Sequence, residues 1–422
     1  MGKFRGSCKG HKGNCNVKDA KKLKNNMALH RSTTTAVVEA LDEIFSGDRY
    51  ADKVIEKVLK QNPKWGSRDR RFIAETTYNI VRWYRLLQEL SGTTGKPDHW
   101  KIFAAWMHFQ GIELPHWTEF ASLRFDHWDE RLREAQSVRK IRESVPDWLD
   151  SLGENELGPA WDKELHALNE EARVVLRANT LRIRRSDLQK VLKQEGVETE
   201  QLAIGPDAIA LRQRQNVFQL LSFKDGLFEL QDGGSQLIAP FLDVEPGMRV
   251  VDACAGAGGK TLHLAALMQN RGRILAMDPE AWKLEELKKR ARRSGAANIE
   301  TRPIDSSKVI KRLEKSADRL LLDVPCSGLG VLKRNPDAKW KLSEEFIGRV
   351  RGIQQTILRD YSKIVKPGGK MVYSTCSLLP GENEEQVRTF LENNSEFAIE
   401  AEKKIVPSEG FDGFYMARLK RI

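Results

Sequence analysis

Residues 252–261 read DACAGAGGKT, Asp252 through Thr261. The apolar pair Val250-Val251 precedes the stretch and LHLAALM, residues 262–268, follows it. A glycine-rich turn therefore joins a short buried strand to a helix. Its GKT ending suggests a phosphate-cradling loop. A Walker A loop needs G-x-x-x-x-G-K-[ST], and with its GK on Gly259-Lys260 its first glycine falls on Cys254, where the match fails. The run ADRLLLD ending at Asp323 would pass as the matching metal-binding strand, so a nucleoside triphosphatase stays a competitor. The dinucleotide fingerprint G-x-G-x-x-G fits worse, because the third residue after Gly258 is Thr261.

Outward from this turn the chain alternates short strands and helices. Strands are expected at 249–253, 272–277, 298–303, 318–323 and 369–375, with helices at 260–269, 280–294, 306–314, 343–365 and 382–394. That rhythm predicts an α/β, Rossmann-like, doubly wound and mainly parallel sheet, with its ligand beyond the carboxyl ends of the strands. A turn serving S-adenosylmethionine is the better account of the glycines. Gly256, Gly258 and Gly259 permit close backbone approach, and the helix N-terminus offers amides to a carboxylate. Asp278 ends the second strand twenty residues after Gly258, where an acid receives ribose hydroxyls; the plainer reading is a cap for the helix from Glu280. Asp305, ending NIETRPID, would reach the adenine side, or could simply cap the next helix.

Two further strand ends carry thiols. Asp323-Val-Pro-Cys326-Ser-Gly ends the fourth strand and Ser374-Thr-Cys376-Ser ends the fifth. Buried, inert cysteine is the usual reading of one such residue. Two at neighbouring strand ends would face one cleft beside a methyl donor. Carbon-5 of cytosine is too weak a nucleophile to take a methyl group unaided. A thiolate adding to carbon-6 makes it enamine-like, and covalent catalysis divides the barrier. Asp323 could hydrogen-bond the base's polar edge, and the base must leave its stack to reach such a pocket.

The stretches QDGGSQ236, DACAGAGGK260, AMD278, PID305, DVPCSGLGVLKRNPDAKW340 and YSTCSLLPGENE384 together resemble an RsmB-type (Sun-family) RNA cytosine-5 methyltransferase over roughly residues 230–390. LRANTLRI before them is similar to that family's auxiliary RNA-binding unit, and RDRRFIAETTYNIVRW resembles a NusB-like domain often fused in front. The resemblance implies a cofactor loop at Cys254, Ala255, Gly256, Ala257, Gly258, Gly259 and Lys260, completed by Asp278, Asp305 and Asp323. It implies Cys376 as nucleophile and Cys326 as the cysteine assisting product release, whereas DNA cytosine methyltransferases attack with the cysteine of their PC motif. The family's loop reads CAAPGGK; here Gly256-Ala257 replaces Ala-Pro, so the turn loses proline's rigidity but no polar contact.

The remainder of the chain sets the context. The 422 residues allow several domains: a basic tail at 1–27, a helical NusB-like domain at 28–150, a linker near 145–170, a small α/β RNA-binding unit at 170–235 and the methyltransferase domain at 236–422. Helical spacing runs through TTTAVVEALDEIF, ADKVIEKVLKQ and RDRRFIAETTYNIVRWYRLLQEL, with Trp65, Trp83, Trp100 and Trp106 expected in the core. The net charge is +11, of which residues 1–26 carry +7 through eight Lys/Arg and one Asp, which suits either a solvated tail or a nucleic-acid arm. Cys8, His11 and Cys15 in this tail supply three candidate ligands, one short of a closed zinc site, and no metal is expected. Lys333, Arg334, Asn335 and Trp340, with Lys339 and Lys341, are candidate RNA contacts after Cys326; Arg177, Arg182, Arg184 and Arg185 are phosphate candidates in the small unit. Five scattered cysteines, no secretory signal and no long apolar run predict a cytoplasmic protein without a membrane span, expected as a monomer, and the resemblance implies an enzyme acting on RNA, ribosomal RNA above all. A non-catalytic RNA-binding or assembly factor is the other rival, and it leaves both cysteines unexplained.

Overall fold

A computed structural model describes residues 29–422 other than 48, 93, 94, 96 and 122. The basic tail and its Cys8, His11 and Cys15 lie outside the described residues. The chain divides into two compact units between Ser144 and Val145, ahead of the boundary expected at 150. The first is helical, with its main helices at Arg31–Ser46, Ala51–Gln61, Ser67–Arg82, Tyr84–Ser91, His99–Phe109 and Trp128–Ser137. Residues at helical spacing, such as Val37, Val38, Leu41 and Ile44, are buried, as an amphipathic stripe requires. Trp106 is buried, while Trp65, Trp83 and Trp100 are half-buried.

The second unit begins with a correction. The expected linker at 145–170 forms two helices, Asp147–Leu157 and Ala160–Leu168. Leu149, Trp161, Leu165 and Leu168 share one buried cluster with Leu329, Leu332, Ile347, Leu378 and Leu379, so this segment is part of the same core as the motif-bearing loops. The packing is close at Gly153, where an added Cβ would lie 2.2 Å from the Trp161 ring. Scattered Gly, Pro and acid obscured a real apolar periodicity.

A four-stranded antiparallel sheet follows, in the order β2-β3-β1-β4: β1 Val175–Ala178, β2 Thr199–Gln201, β3 Ala208–Leu211 and β4 Phe228–Leu230. Helix Arg185–Gln194 covers it through Leu188 and Leu192. β1 and β3 form its centre; β2 and β4, three residues each, are too short to show a period.

The large sheet holds β5 Arg249–Asp252, β6 Arg273–Asp278, β7 Ile299–Pro303, β8 Ala317–Asp323, β9 Val365–Thr375, β10 Phe397–Ile405 and β11 Phe414–Arg421, in the order β10-β11-β9-β8-β5-β6-β7. Strands β5 through β9 are parallel, and β11 inserts antiparallel between β9 and β10. The central strands β5, β6 and β8 and the second half of β9 are buried on both faces, which is why they read as continuous apolar runs. Leu320, Leu322, Met371 and Tyr373 enter one core, and Val250, Leu321, Val372 and Met416 the other. From β5 the chain winds outward through β6 and β7, then returns to β8 and β9 on the opposite side of β5. That reversal opens a crevice at the carboxyl ends of β5 and β8.

Candidate active site

The glycine turn bridges β5 to helix Gly259–Leu267. Gly258 occupies the left-handed region at φ +88°, and a Cβ there would lie 2.5 Å from Cγ of Leu287, so conformation and space both require glycine. Gly256 is also left-handed, and its N–H donates to Oδ2 of Asp278 at 2.9 Å. A Cβ on Gly256 or Gly259 would meet nothing within 4 Å, so the loop has an open side. Ala255 anchors the turn by donating its N–H to the Met277 carbonyl at 2.9 Å. Two guanidinium groups hold it from outside: Arg290 donates to the Ala257 carbonyl and Arg177 to the Gly259 carbonyl, each at 2.8 Å. Glu229 pairs with Arg290 and Arg293, linking β4 to the helix that carries both arginines. Arg290, Arg293 and Glu229 escaped sequence reading, because no local pattern marks a long-range brace.

Asp278 is buried at the end of β6. Its second oxygen accepts the N–H of Glu280 at 2.9 Å, so this carboxylate caps the following helix and still retains free lone pairs. Asp305 stands differently: it is exposed beyond β7 and accepts a bond from Ser306 at 3.0 Å. Asp252 is buried and accepts from Thr261 at 2.7 Å. Burial pushes its carboxyl up to about 7 against the opposing Thr261 bond, and Asp323 adds to the rise. Burial also pushes the Cys254 thiol well up, with Asp252, Asp323 and Asp278 adding to it.

Lys260 forms an ion pair with Oδ2 of Asp323. Burial disfavours the ammonium, but Asp323 outweighs it and the lysine is held above its usual range, with Cys376 adding in the same direction. Oδ1 of Asp323 accepts the Ser374 hydroxyl at 3.0 Å. The lysine that would grip phosphate in a Walker loop is thus engaged by a carboxylate.

Strands β8 and β9 are paired in register, Asp323 opposite Ser374, so the residues just beyond them emerge side by side. Sγ of Cys326 lies 3.3 Å from Sγ of Cys376. Cys326 is pushed well above the usual thiol range by its hydrogen bond with Cys376, by burial and by nearby Glu382. The two loops are stitched together where Gly330 donates to the Cys376 carbonyl at 2.8 Å and accepts from Gly413 at 2.8 Å. A Cβ on Gly330 would lie 2.2 Å from the Gly413 oxygen, so glycine is needed for this approach.

The loop after Cys326 departs from expectation. Lys333 is buried; its ammonium donates to the Pro407 carbonyl at 2.9 Å and pairs with Glu170 at 3.4 Å. Arg334 bridges Asp232 at 2.8 Å and Asp412 at 2.6 Å. Lys339 is buried and donates to Asn169 at 3.3 Å. Lys333 and Lys339 brace the fold from within, Arg334 is half-buried between its two carboxylates, Asn335 is exposed and Trp340 half-buried. Arg177 is likewise buried, its guanidinium lowered to about 10 by burial, and it serves the glycine turn. Arg185 donates to the carbonyls of Leu202 and Gly205 at 3.3 and 3.1 Å, while Arg182 and Arg184 are exposed.

Residues 239–420 match the family model described as 16S rRNA methyltransferase RsmB/F, and residues 145–218 match the ferredoxin-like domain of RsmF/B-like methyltransferases. A protein of Synechocystis sp. named "Probable ribosomal RNA small subunit methyltransferase B" is 31% identical, over 90% of this chain and 97% of its own. The crystal structure of PH0851 shares the fold, with a TM-score of 0.78 and 24% identity over 94% of this chain and 100% of the other. A methyltransferase homolog protein from Pyrococcus horikoshii is 26% identical with a TM-score of 0.61, over 68% of this chain and 99% of its own. The glycine turn, the paired thiols, the antiparallel sheet before them and these matches agree, and the chain belongs to the RsmB/F family of 16S rRNA methyltransferases.

Proposed function

We propose that the chain methylates carbon-5 of cytosine in ribosomal RNA through a covalent bond from Cys376 to carbon-6. The methyl donor is S-adenosylmethionine, which supplies an electrophilic methyl group on a sulfonium. The residues at the crevice fit that donor. Gly256 and Gly259 leave room on the open side of the turn, and Asp278 keeps lone pairs for ribose hydroxyls. One observation carries the reading: two thiols 3.3 Å apart at neighbouring strand ends, beside the Lys260–Asp323 pair.

We assign the two sulfurs different roles. Cys376 lies near the Lys260 ammonium, and we assign it the attack on the ring. Cys326 is held as a neutral thiol by the second sulfur and by burial. Attack by the Cys376 sulfur on carbon-6 pushes the ring's electrons to carbon-5, which takes the methyl group. Asp323, oriented by Ser374, hydrogen-bonds the polar edge of the base while the adduct forms. A base then takes the carbon-5 proton, the freed electron pair restores the carbon-5–carbon-6 double bond and expels the Cys376 sulfur, and Cys326 stands within reach of that sulfur to assist release.

The test uses labelled cofactor and ribosomal RNA. Cys376→Ala is expected to lower methyl transfer by about 1,000-fold or more. Cys326→Ala is expected to accumulate a protein–RNA adduct that survives denaturation. Mapping the modified base to anything other than 5-methylcytosine, or full activity in Cys376→Ala, would overturn the reading. The triphosphatase alternative predicts ATP hydrolysis, which the engagement of Lys260 by Asp323 disfavours.

A further inference from the structure

We propose that Glu382 is a positioning residue that sets the spacing of the two thiols, its buried carboxylate clamping the Cys326–Ser327 turn to the Cys376–Ser377 turn. This rests on the roles given above for the two cysteines.

Glu382 is wholly buried between these turns. Its Oε2 accepts the N–H of Ser327 at 2.7 Å and the amide of Gln354 at 3.1 Å. Its Oε1 accepts the hydroxyl of Ser377 at 2.7 Å. The two serine oxygens lie 3.1 Å apart. Because Ser377 gives its proton to the carboxylate, Ser327 is the donor between them. Each serine also closes its own turn in the same way: Oγ of Ser327 accepts the N–H of Leu329 at 3.4 Å, and Oγ of Ser377 accepts that of Leu379 at 3.2 Å. Two Cys-Ser-x-Leu turns therefore face each other across one carboxylate, with each cysteine next to a clamped serine.

The backbone of the clamp is fixed as well. The Glu382 carbonyl accepts the Tyr373 hydroxyl at 2.6 Å, and its N–H donates to the Leu379 carbonyl at 2.9 Å. Gln354, from helix Glu344–Tyr361, also donates to the Pro325 carbonyl at 3.0 Å, one residue before Cys326. A buried carboxylate is costly unless it is matched by donors, and here three donors meet it. Apolar side chains would pack these loops at lower cost. What the carboxylate adds is a fixed distance between two turns that lie beyond the paired ends of β8 and β9. Its charge also contributes, after the hydrogen bond to Cys376 and burial, to keeping Cys326 protonated.

The test compares the full chain with Glu382→Gln and with the double variant Ser327→Ala/Ser377→Ala. The first readout needs neither RNA nor cofactor. Diamide oxidises the two thiols to a disulfide, both protons and both electrons passing to its nitrogen–nitrogen double bond. The rate at which the Cys326 and Cys376 peptides become linked, followed by mass spectrometry, reports their spacing. We expect closure to slow about 10-fold or more and kcat to fall about 100-fold, as displacement of reacting groups by an ångström does, with KM for RNA and cofactor within about 3-fold. Closure and kcat both within about 3-fold of the parent chain in a folded variant would overturn the proposal, as would a loss confined to KM. Should Glu382→Gln fail to fold by circular dichroism, the serine pair decides alone. A parent chain that closes its disulfide but makes no 5-methylcytosine would refute the methylation reading and leave the clamp standing.

Discussion

Asp252 shows how one buried carboxyl couples the fold to pH. Its ordinary value is 3.8 and the folded environment pushes it up to about 7. Below the ordinary value both the folded and unfolded chains hold this proton, so it contributes no difference. Between the two values the unfolded chain has released the proton and the folded chain keeps it, so stability falls as pH rises through this window and stays lower above it. Asp252→Asn keeps an oxygen for Thr261 and removes the ionisation. In urea unfolding its stability relative to the parent chain should rise by a few kcal/mol from about pH 4 to about pH 8. A difference that stays flat with pH would mean that Asp252 ionises as it does in water.

Among the elements, the loop after Cys326 behaves as a brace. Arg334 joins Asp232, which opens the short helix Gly233–Gln236, to Asp412, just ahead of β11. Burial already pushes Asp412 up to about 6, Asp232 adds to the rise, and Arg334 opposes it. Arg334→Ala leaves two buried carboxylates facing one another. We expect a loss of about 3 kcal/mol in stability, read as a fall in the thermal midpoint, because breaking a buried pair strands a charge. A phosphate-contact role predicts the reverse pattern, an unchanged midpoint with weaker RNA binding. The cationic composition of this loop was legible in the sequence, but its destination was not. The carboxylates that consume the charge lie far along the chain: Lys333 finds Glu170, and Arg334 finds Asp232 and Asp412.

For the molecule as a whole, charge is concentrated where the sequence begins. Residues 1–26 carry +7 of the net +11. We expect a chain lacking them to bind ribosomal RNA with a shallower dependence of log affinity on log salt, since every phosphate that no longer meets a lysine or arginine keeps its condensed counterion. An unchanged slope would assign this segment no role at the phosphate backbone. No described helix is long and apolar enough to cross a membrane. The unit Val145–Ile422 contains the glycine turn, both thiols and the buried Glu382.

Local pattern was enough for the parallel part of the large sheet. Val250-Val251, Leu320 to Leu322 and Met371 to Tyr373 are buried on both faces and read as strands without outside help, and the helices between them repeat at their own period. The same pattern placed Asp252, Asp278, Asp323 and the two cysteines at strand ends, because strand and turn are decided by neighbours in sequence. It did not show that residues 145–168 fold as helices or that β10 and β11 complete the sheet, since those segments gain their order from partners far away. Nor could it tell which arginines and lysines face solvent, or that a glutamate six residues after Cys376 holds two serines on different loops. Tertiary packing decides these points: the state of a charge depends on burial and on the opposite charge beside it, and both are assembled from residues scattered along the chain.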